Sequence, residues 1–472
     1  MGIPYREGKT WMLDQNIAHE VLARAVRTGG DFAEIFMEDR VNHNIRLNSG
    51  KIETVSTGRL HGAGIRVFSG VNAVYVHTND TSREGLLDAA AKAAAAVRGG
   101  SGCVLVPFTA MDAARPEEIR LLPTDVKTAL KTDKLRAADS AARGVSNEIV
   151  QVDAYYLDSL QDVLICNTEG VFTTDRRVWT RVGVTAVAGN GTENQTGFSG
   201  PGAHMGFEAF DDAIDPEKAA RTAAGGAVTM LHAPVCPAGV MPVVIDNGFG
   251  GVIFHEACGH SLEATSVAYG ISEFTGKLGQ QVANPRVTAI DDGTIPGAWG
   301  SLHVDDEGTP TRKTVLIKDG ILTSYMIDKL GSRRMNMPVT GSGRRQSYAF
   351  APTSRMRNTY IAAGNDDNDE IIATMGDGLY AKRMGGGSVN PATGEFNFAV
   401  NEGYWVKDGK IVYPVRGASL IGRGSQILTR IDRVGKDMRM EQGMCGSVSG
   451  SIPTNVGQPM IRVTEITVGG KG

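Results

Sequence analysis

Apolar positions in the first hundred residues recur with two different spacings. Leu13, Ile17, Val21 and Leu22 follow helical spacing, and the glycine pair at 29–30 predicts the end of this helix. Shorter segments separated by Asn, Ser and Gly are typical of strands, at residues 32–38, 43–49, 51–57, 62–69 and 72–78. A second helix is predicted at 82–98. An antiparallel sheet with helices on one side satisfies this order.

The pattern changes twice further along the chain. Residues 150–210 are strand-rich and lead to a helix start at Asp215, which a proline follows. From about residue 235, short strands alternate with glycine turns and one helix interrupts them. We predict an α+β fold with an amino-terminal antiparallel sheet and helices, then a large β-rich carboxy-terminal domain. The expected domains are 1–140 (α+β), 141–234 (a strand-rich middle segment ending in a helix) and 235–472 (β-rich).

Charge and apolar content argue against two classes of protein. The net charge of −4 and the isoelectric point near 6.2 do not suit a general nucleic-acid binder. The basic stretch 344–357 includes Tyr348 and Phe350, but in an acidic chain we interpret it as a solvated loop or a dimer contact. Residues 1–8 lack the features of a secretory signal, and no apolar run reaches about 20 residues. We expect a cytoplasmic protein without nucleic-acid or membrane partners.

One short motif suggests catalytic chemistry. The sequence His-Glu-Ala-Cys-Gly-His at 255–260 places the carboxylate of Glu256 beside the first of two imidazoles. His255 and His260 would bind a divalent metal through neutral ring nitrogens, and Glu256 would take a proton from the metal-bound water. The simpler alternative is a buried helix whose histidines bond backbone carbonyls, since buried polar groups need partners whatever their role.

The spacing of this motif is one residue longer than the His-Glu-x-x-His of helical zinc proteases. Five residues turn an ideal helix by about 500°, which leaves the two histidines about 140° apart. They can face one metal only if the turn is widened, for instance by a single π-type bulge. Gly259, directly before His260, is the residue most able to permit this distortion.

A catalytic metal normally takes three protein ligands and leaves a fourth position for water, so a third residue is required. Glu263 lies three residues past His260 on the expected helix face, and carboxylate oxygen suits zinc. Cys445 lies in a glycine-flanked loop that could bring a thiolate to the helix. Cys258, inside the motif, is interpreted as a small buried hydrophobe. Spacing alone leaves both Glu263 and Cys445 open.

The run 250–263 resembles the motif of the TldD/PmbA family of metalloproteases, in its TldD-type catalytic branch. Further segments are similar to landmarks of that family in the same order, at residues 31–34, 62–68, 304–308, 355–358, 385–391 and 443–446. The resemblance implies that His255, His260 and Cys445 hold the metal and that Glu256 is the catalytic base. Glu263 then becomes a residue that orients a histidine.

The resemblance further implies a zinc-dependent peptidase with one divalent metal ion per active chain. Its substrates would be short or unfolded peptides, bound in a cavity that a dimer encloses. The partner would be a second copy or a paralogous subunit without the metal motif. A thiolate ligand requires a reducing compartment, and the odd, low count of five cysteines agrees. Two alternatives remain: a metal-dependent amidase acting on modified small molecules, and a non-catalytic subunit with a structural metal.

Overall fold

The computed structural model describes residues 13–97, 102–110, 119–390 and 393–470. Three parts of the segments named above lie outside these ranges: residues 1–8, Arg98 of the predicted second helix, and Pro391 of the segment 385–391. The α-helices of the described ranges are α1 (Gln15–Val26), α2 (Arg83–Ala96), α3 (Thr128–Arg143), α4 (Ala209–Asp212), α5 (Pro216–His232), α6 (Val252–Phe254), α7 (Ala264–Val267), α8 (Lys329–Met335), α9 (Asn368–Ala373) and α10 (Gly424–Arg430). Within these ranges, none of the helices is both long enough and apolar enough to cross a membrane.

The amino-terminal part of the described chain forms an eight-stranded sheet. Its strands are β1 (Phe32–Asn48), β2 (Lys51–Ser69), β3 (Asn72–Thr78), β4 (Thr109–Ala110), β5 (Ile149–Asn167), β6 (Val171–Gly189), β7 (Asn194–Ser199) and β8 (Gly202–Ala203). They are ordered β3-β2-β1-β5-β6-β4, and β7 and β8 also pair with β6. All pairings are antiparallel except that of the short β4 with β6.

The five strands predicted in the first eighty residues are three in the structure. Segments 32–38 and 43–49 are one strand, β1, and segments 51–57 and 62–69 are one strand, β2. The two pair continuously from Phe32 opposite Phe68 to Asn48 opposite Lys51. The first half of β2, residues 51–59, is mostly exposed. The change from apolar to polar residues in β2 therefore marks where this strand becomes exposed, and the strand itself is continuous, while Leu47 of the paired β1 stays buried.

The helices of this region lie on one face of the sheet, as predicted. Helices α1 and α2 share a core with Ile35 of β1, and α3 and α5 share a core with Leu47 of the same strand. The opposite face carries Phe36, which packs with Val304 of the carboxy-terminal region. The sheet therefore joins its own helices on one side and the rest of the molecule on the other.

The predicted helix start at Asp215 is confirmed, because its carboxylate accepts the backbone N–H of Lys218 at 2.9 Å. This helix, α5, packs against β6 and β7 of the first sheet. Strands from both sides of the predicted boundary at residue 140 thus belong to a single sheet. The domain limits 1–140, 141–234 and 235–472 remain predictions.

The carboxy-terminal region is β-rich, as predicted, and the described residues form two main sheets. The six-stranded sheet has the order β12-β11-β10-β15-β22-β21, with β10 (Ala289–Asp292), β11 (Lys313–Lys318), β12 (Ile321–Leu322), β15 (Asn358–Ile361), β21 (Arg439–Ser447) and β22 (Gly450–Gln458). The seven-stranded sheet contains β9 (Gly239–Ile245), β16 (Gly378–Asn390), β17 (Glu395–Lys407), β18 (Lys410–Val415), β19 (Ser419–Arg423), β20 (Ile431–Val434) and β23 (Ile461–Gly469). A short separate hairpin pairs β13 (Gly343–Arg344) with β14 (Thr353–Ser354).

The seven-stranded sheet closes on itself. Its order is β16-β9-β23-β19-β17-β18, and β16 also pairs with β17, so five of the strands form a ring. Phe398 and Leu420 of this ring share one hydrophobic core with Phe254 and Leu262, which flank the motif at 255–260. The motif therefore rests on a core that strands fix from several sides.

The interpretation of the basic stretch 344–357 as a solvated loop or dimer contact is wrong for its arginines. Arg344, Arg345, Arg355 and Arg357 are each at most 5% exposed. Arg345 pairs with Glu34 of β1 at 2.9 Å, and Arg357 pairs with Asp291 at 2.9 Å. The carboxylates that allow this burial come from distant segments, so the local sequence does not reveal them.

Candidate metal centre

The segment that carries the motif follows strand β9 as a sequence of different helical turns. A 3₁₀ turn at Gly248–Gly251 and the short α6 lead into a π turn at His255–Gly259, and a second 3₁₀ turn follows at His260–Leu262. The backbone N–H of His260 donates to the carbonyl of His255, five residues earlier. The widened turn predicted from the motif spacing is confirmed, and it turns both imidazoles to one side.

Gly259 serves this turn in a different way from the one predicted. Its φ of −58° and ψ of −50° are ordinary helical values, so the conformational freedom of glycine is not used. A β-carbon at this position would instead overlap the Sδ atom of Met356, which is fully buried. The glycine permits close packing of the π turn against Met356.

The third candidate residue, Cys445, lies on β21, which forms a hairpin with β22. Cys445 is 4% exposed, and its thiol faces the two imidazoles. Arg355 holds this hairpin, because its Nη2 donates to the carbonyl of Cys445 at 2.6 Å and its Nη1 donates to the carbonyl of Gly450 at 2.9 Å. The position of the thiol is thus fixed through the backbone on both strands.

The two halves of the site meet where backbone packs directly on backbone. Gly251, four residues before His255, lies against Gly457 of β22, and a β-carbon on Gly251 would be 2.5 Å from the carbonyl oxygen of Gly457. Only glycine allows this approach. It brings the helical segment close enough to the hairpin for its histidines to reach Cys445.

The three side chains converge on one point. The Nε2 atoms of His255 and His260 lie 3.3 Å and 3.2 Å from the Sγ atom of Cys445, and all three atoms lie within 4.8 Å of one another. Zinc bond lengths of about 2.1 Å to nitrogen and about 2.3 Å to sulfur, in a tetrahedron, place those ligand atoms roughly 3.6 Å apart. The cluster therefore has the size and donor chemistry of a metal site, and it is the one such cluster found among the described residues.

The electrostatics of the cluster also fit a cation. Burial alone would raise the pKa of the Cys445 thiol, but the two neighbouring imidazoles lower it to about 3. Burial opposes a charged imidazole at His260, yet the carboxylate of Glu263 and the thiolate of Cys445 raise the pKa of His260 well above its ordinary value. A thiolate beside two imidazoles is a preferred ligand set for zinc.

Glu263 lies beside the cluster but does not share its centre. The helix ends before this residue, which has extended backbone angles, so the predicted common helix face is wrong. Its Oε2 lies 3.0 Å from Nδ1 of His260, and its Oε1 accepts the backbone N–H of Met356 at 3.2 Å. Glu263 thus fixes the ring orientation of His260, while Nε2 of that ring faces Cys445. Cys258 is buried, as interpreted.

Glu256 has a position distinct from that of the three clustered residues. Its Oε2 lies 3.7 Å from Nε2 of His260, and its side chain is 30% exposed. It lines a cavity of about 490 Å³ together with His260 and with Gly446 and Val448, which follow Cys445. A carboxylate here can reach both the cluster and a molecule in the cavity.

Two residues have structural roles at the site that the sequence does not indicate. Arg355 and Met356 lie in the run 355–358, which resembles a family landmark, but no role follows from that run alone. Arg355 clamps the hairpin of Cys445, and Met356 packs on Gly259 and bonds Glu263. Their distance along the chain from both halves of the site explains why spacing does not indicate them.

Family models match three successive parts of the chain. They are PmbA/TldA metallopeptidase domain 1 at residues 33–97, the central domain at 121–231 and the C-terminal domain at 238–470. A metalloprotease TldD homologue of Haemophilus influenzae is 36% identical over 449 residues and covers 93% of each chain. A metalloprotease of Methanothermobacter thermautotrophicus is 32% identical over 445 residues, covering 93% of this chain and 96% of its own.

Solved structures share the fold at lower identity. A crystal structure from Thermotoga maritima has a TM-score of 0.80 and 20% identity, and covers 96% of this chain and 100% of its own. The structure of TldE from Thermococcus kodakarensis has a TM-score of 0.77 and 17% identity, and covers 96% of this chain and 99% of its own. Together with the closer sequence relatives, these matches span nearly the whole chain. It belongs to the TldD/PmbA family of metallopeptidases and is a peptidase whose family implies a divalent metal.

Proposed function

We propose that this chain is a zinc-dependent peptidase of the TldD catalytic type that hydrolyses short or unfolded peptides. The observation that carries the proposal is the convergence of His255, His260 and Cys445 beside Glu256, at the wall of one cavity. Three protein ligands leave a fourth position open, as a catalytic site requires, whereas structural zinc sites are closed by four. The donor set and the separations of its atoms suit zinc.

In this proposal, His255, His260 and Cys445 hold the ion, and Glu256 is the catalytic base. Bound there, zinc supplies Lewis acidity to the scissile carbonyl and to water. Glu256 takes the proton of the attacking water on a carboxylate oxygen and then passes it to the leaving amine. Glu263 keeps the ring of His260 in one orientation through the contact at Nδ1. Arg355 and Met356 support these residues without touching the substrate.

The position of Cys445 suits binding of peptides through their backbone. Its strand, β21, lies at the edge of the six-stranded sheet, and residues 446–448 line the cavity. An edge strand offers unpaired backbone groups, which give affinity with little sequence preference. Such binding requires an extended chain, so folded proteins would be poor substrates.

The family resemblance supports an active site that a dimer encloses, with a second copy or a paralogous subunit as the partner. We also place the protein in the cytoplasm. All five cysteines are free thiols, and oxidation of Cys445 would remove a ligand. A reducing compartment protects this residue.

The Glu256→Gln variant tests the assignment of the base. Gln keeps the size of the side chain but cannot take a proton, so we expect unchanged metal content and a fall in kcat of about 10²-fold or more. The measurement is cleavage of an unstructured fluorogenic peptide, with a stably folded protein and a non-peptide amide as comparison substrates. Wild-type turnover by metal-loaded Glu256→Gln would refute the base, and activity on the non-peptide amide alone would refute the peptidase.

A further inference from the structure

A second cavity, of about 540 Å³, lies on the other side of the hairpin that carries Cys445. Its walls come from the face of β1, β5 and β6 that is turned away from the helices, from β21 and β22, and from residues within 299–306 and 344–346. Met444 lines it, whereas the thiol of the next residue, Cys445, points to the metal cluster. Successive side chains of a strand point to opposite faces, which separates this cavity from the proposed active site.

The lining of this cavity is strongly basic. It includes six arginines, at positions 40, 46, 177, 181, 344 and 345, against one acidic residue, Asp306. Most of these arginines have carboxylate partners: Arg177 pairs with Asp175 and Asp306, and Arg345 pairs with Glu34. Two of them, Arg181 and Arg344, have no carboxylate within 4.0 Å among the described residues.

Arg344 is the more unusual of the two. Arg344 is 2% exposed, and Nη1 of its guanidinium donates to the carbonyl of Met356 at 2.8 Å. Burial lowers the pKa of Arg344 to about 9; Asp306 opposes this shift, whereas Arg355 and Arg357 add to it. A buried cation that no carboxylate contacts directly is costly, and proteins normally pair such groups.

Arg181 presents the second unpaired cation together with an aromatic surface. It is 8% exposed, and it stacks over the ring of Trp299 at 5.3 Å. Its Nε donates to the carbonyl of Gly200 and its Nη2 donates to the carbonyl of Gln442, both at 3.1 Å. Trp179 and Trp299 both line the cavity, as do Leu157 and Leu302. Apolar walls and stacked rings suit the organic part of a ligand, and inorganic ions bind poorly to such walls because they are strongly hydrated.

We propose that this cavity, the arginine pocket, binds an organic carboxylate, with Arg344 and Arg181 on the carboxylate and the two tryptophans against its apolar body. Guanidinium groups recognise carboxylates through charged N–H donors, and two guanidinium groups on one wall can each supply such donors. The carboxylate can come from the carboxyl end of a peptide or from a free aromatic acid. The proposal does not depend on the metal or on the proposed peptidase mechanism.

Calorimetric titration of the full-length, metal-loaded protein tests the proposal with defined probes. They are N-acetyl-Ala-Phe with a free carboxyl end, the same peptide as its amide, 3-phenylpropionate and inorganic phosphate. We expect one of the two carboxylates to bind at least about tenfold more tightly than the amide, because charged hydrogen bonds contribute about 1.5–3 kcal/mol. Tighter binding of the peptide identifies a peptide end as the source, and tighter binding of 3-phenylpropionate identifies a free acid.

Three variants assign the binding to the arginine pocket. We expect Arg344→Gln and Arg181→Gln each to weaken carboxylate binding by about tenfold or more. Arg136→Gln, an exposed arginine of α3 paired with Asp133, is the matched control and should bind as the wild type does. Arg344 also donates to the buried carbonyl of Met356, so thermal unfolding of both pocket variants is measured beside the titration to show that they are folded. Equal binding of acid and amide, binding of phosphate alone, or undiminished binding by both pocket variants would overturn the proposal.

Discussion

Among single residues, three buried carboxyl groups form a second charge cluster, and one of them, Asp328, lines the same cavity as Glu256 and His260. Asp305, Glu307 and Asp328 are each at most 4% exposed, and Arg66 donates to Glu307 among them. Burial, reinforced by the charge of Glu307, raises the pKa of both aspartates to about 7. An exposed aspartate has a pKa of about 3.9, so folding increases the affinity of this cluster for protons.

The Asp328→Asn variant should therefore gain stability relative to the wild type as pH rises. The pKa of Asp328 is higher in the folded protein than in the unfolded chain. Protonation of Asp328 therefore stabilises the folded wild type fully at acid pH, and this stabilisation is lost as pH rises through about 7. Asn retains the acceptor that caps α8 at the N–H of Gly331. Between about pH 6 and about pH 8.5 we expect the difference in unfolding free energy to shift by on the order of 1–2 kcal/mol.

Urea denaturation at several pH values measures this difference. Asp367→Asn is the matched control, because Asp367 caps α9 through the N–H of Asp369 but lies on the surface. Its difference from the wild type should stay constant over the same range. A constant difference for Asp328→Asn as well would contradict the assignment of a protonated cluster.

The sequence identifies residues well where chemistry is local. His255, Glu256 and His260 stand out because two imidazoles and a carboxylate lie within six residues, and Cys445 follows from a family resemblance. The sequence pattern wrongly predicts that Arg344 and Arg355 are solvated. Arg344 is buried in a cavity wall and Arg355 against a hairpin, and both contacts form only in the folded chain.

Among the structural elements, the proposed metal centre depends on how one helical segment meets one hairpin. The five-residue spacing predicts a widened turn, and the π turn at His255–Gly259 confirms it. The docking of that segment on β22 through Gly251 and Gly457 was not predictable. Glycine is common in this chain, and its sequence context does not distinguish a turn from a close backbone contact.

Gly251→Ala should weaken both the fold and the metal centre. The added β-carbon meets the backbone of Gly457, which cannot rotate away as a side chain can. We expect a loss of about 1–3 kcal/mol in unfolding free energy and reduced metal affinity, because the histidines move away from Cys445. Chemical denaturation and metal titration measure the two effects.

Gly225→Ala is the matched control for this prediction. Gly225 lies within α5, and a β-carbon there has no atom within 4 Å. Alanine is the better helix former, so we expect a gain of roughly 0.5–1 kcal/mol and unchanged metal affinity. If Gly251→Ala behaves like Gly225→Ala, the close contact does not position the site.

At the scale of the whole molecule, the two regions join through buried charge. Arg66 of β2 pairs with Glu34 of the same sheet at 2.8 Å and with Glu307 of the carboxy-terminal region at 2.5 Å. The fold class was predictable, since the spacing of apolar residues differs between the helices and the strands of the chain. The face that joins the regions was not, because it carries charged residues that a sequence pattern assigns to solvent.

In the proposed function, His255, His260 and Cys445 together hold one metal ion. Elemental analysis of the purified full-length protein, its Cys445→Ala variant and the control Cys236→Ala tests this assignment most directly. Cys236 is buried next to Pro237, outside the cluster. We predict about one zinc per chain in the wild type and the control, and nearly none in Cys445→Ala, because two histidines alone hold zinc weakly. Undiminished zinc in Cys445→Ala would contradict the account.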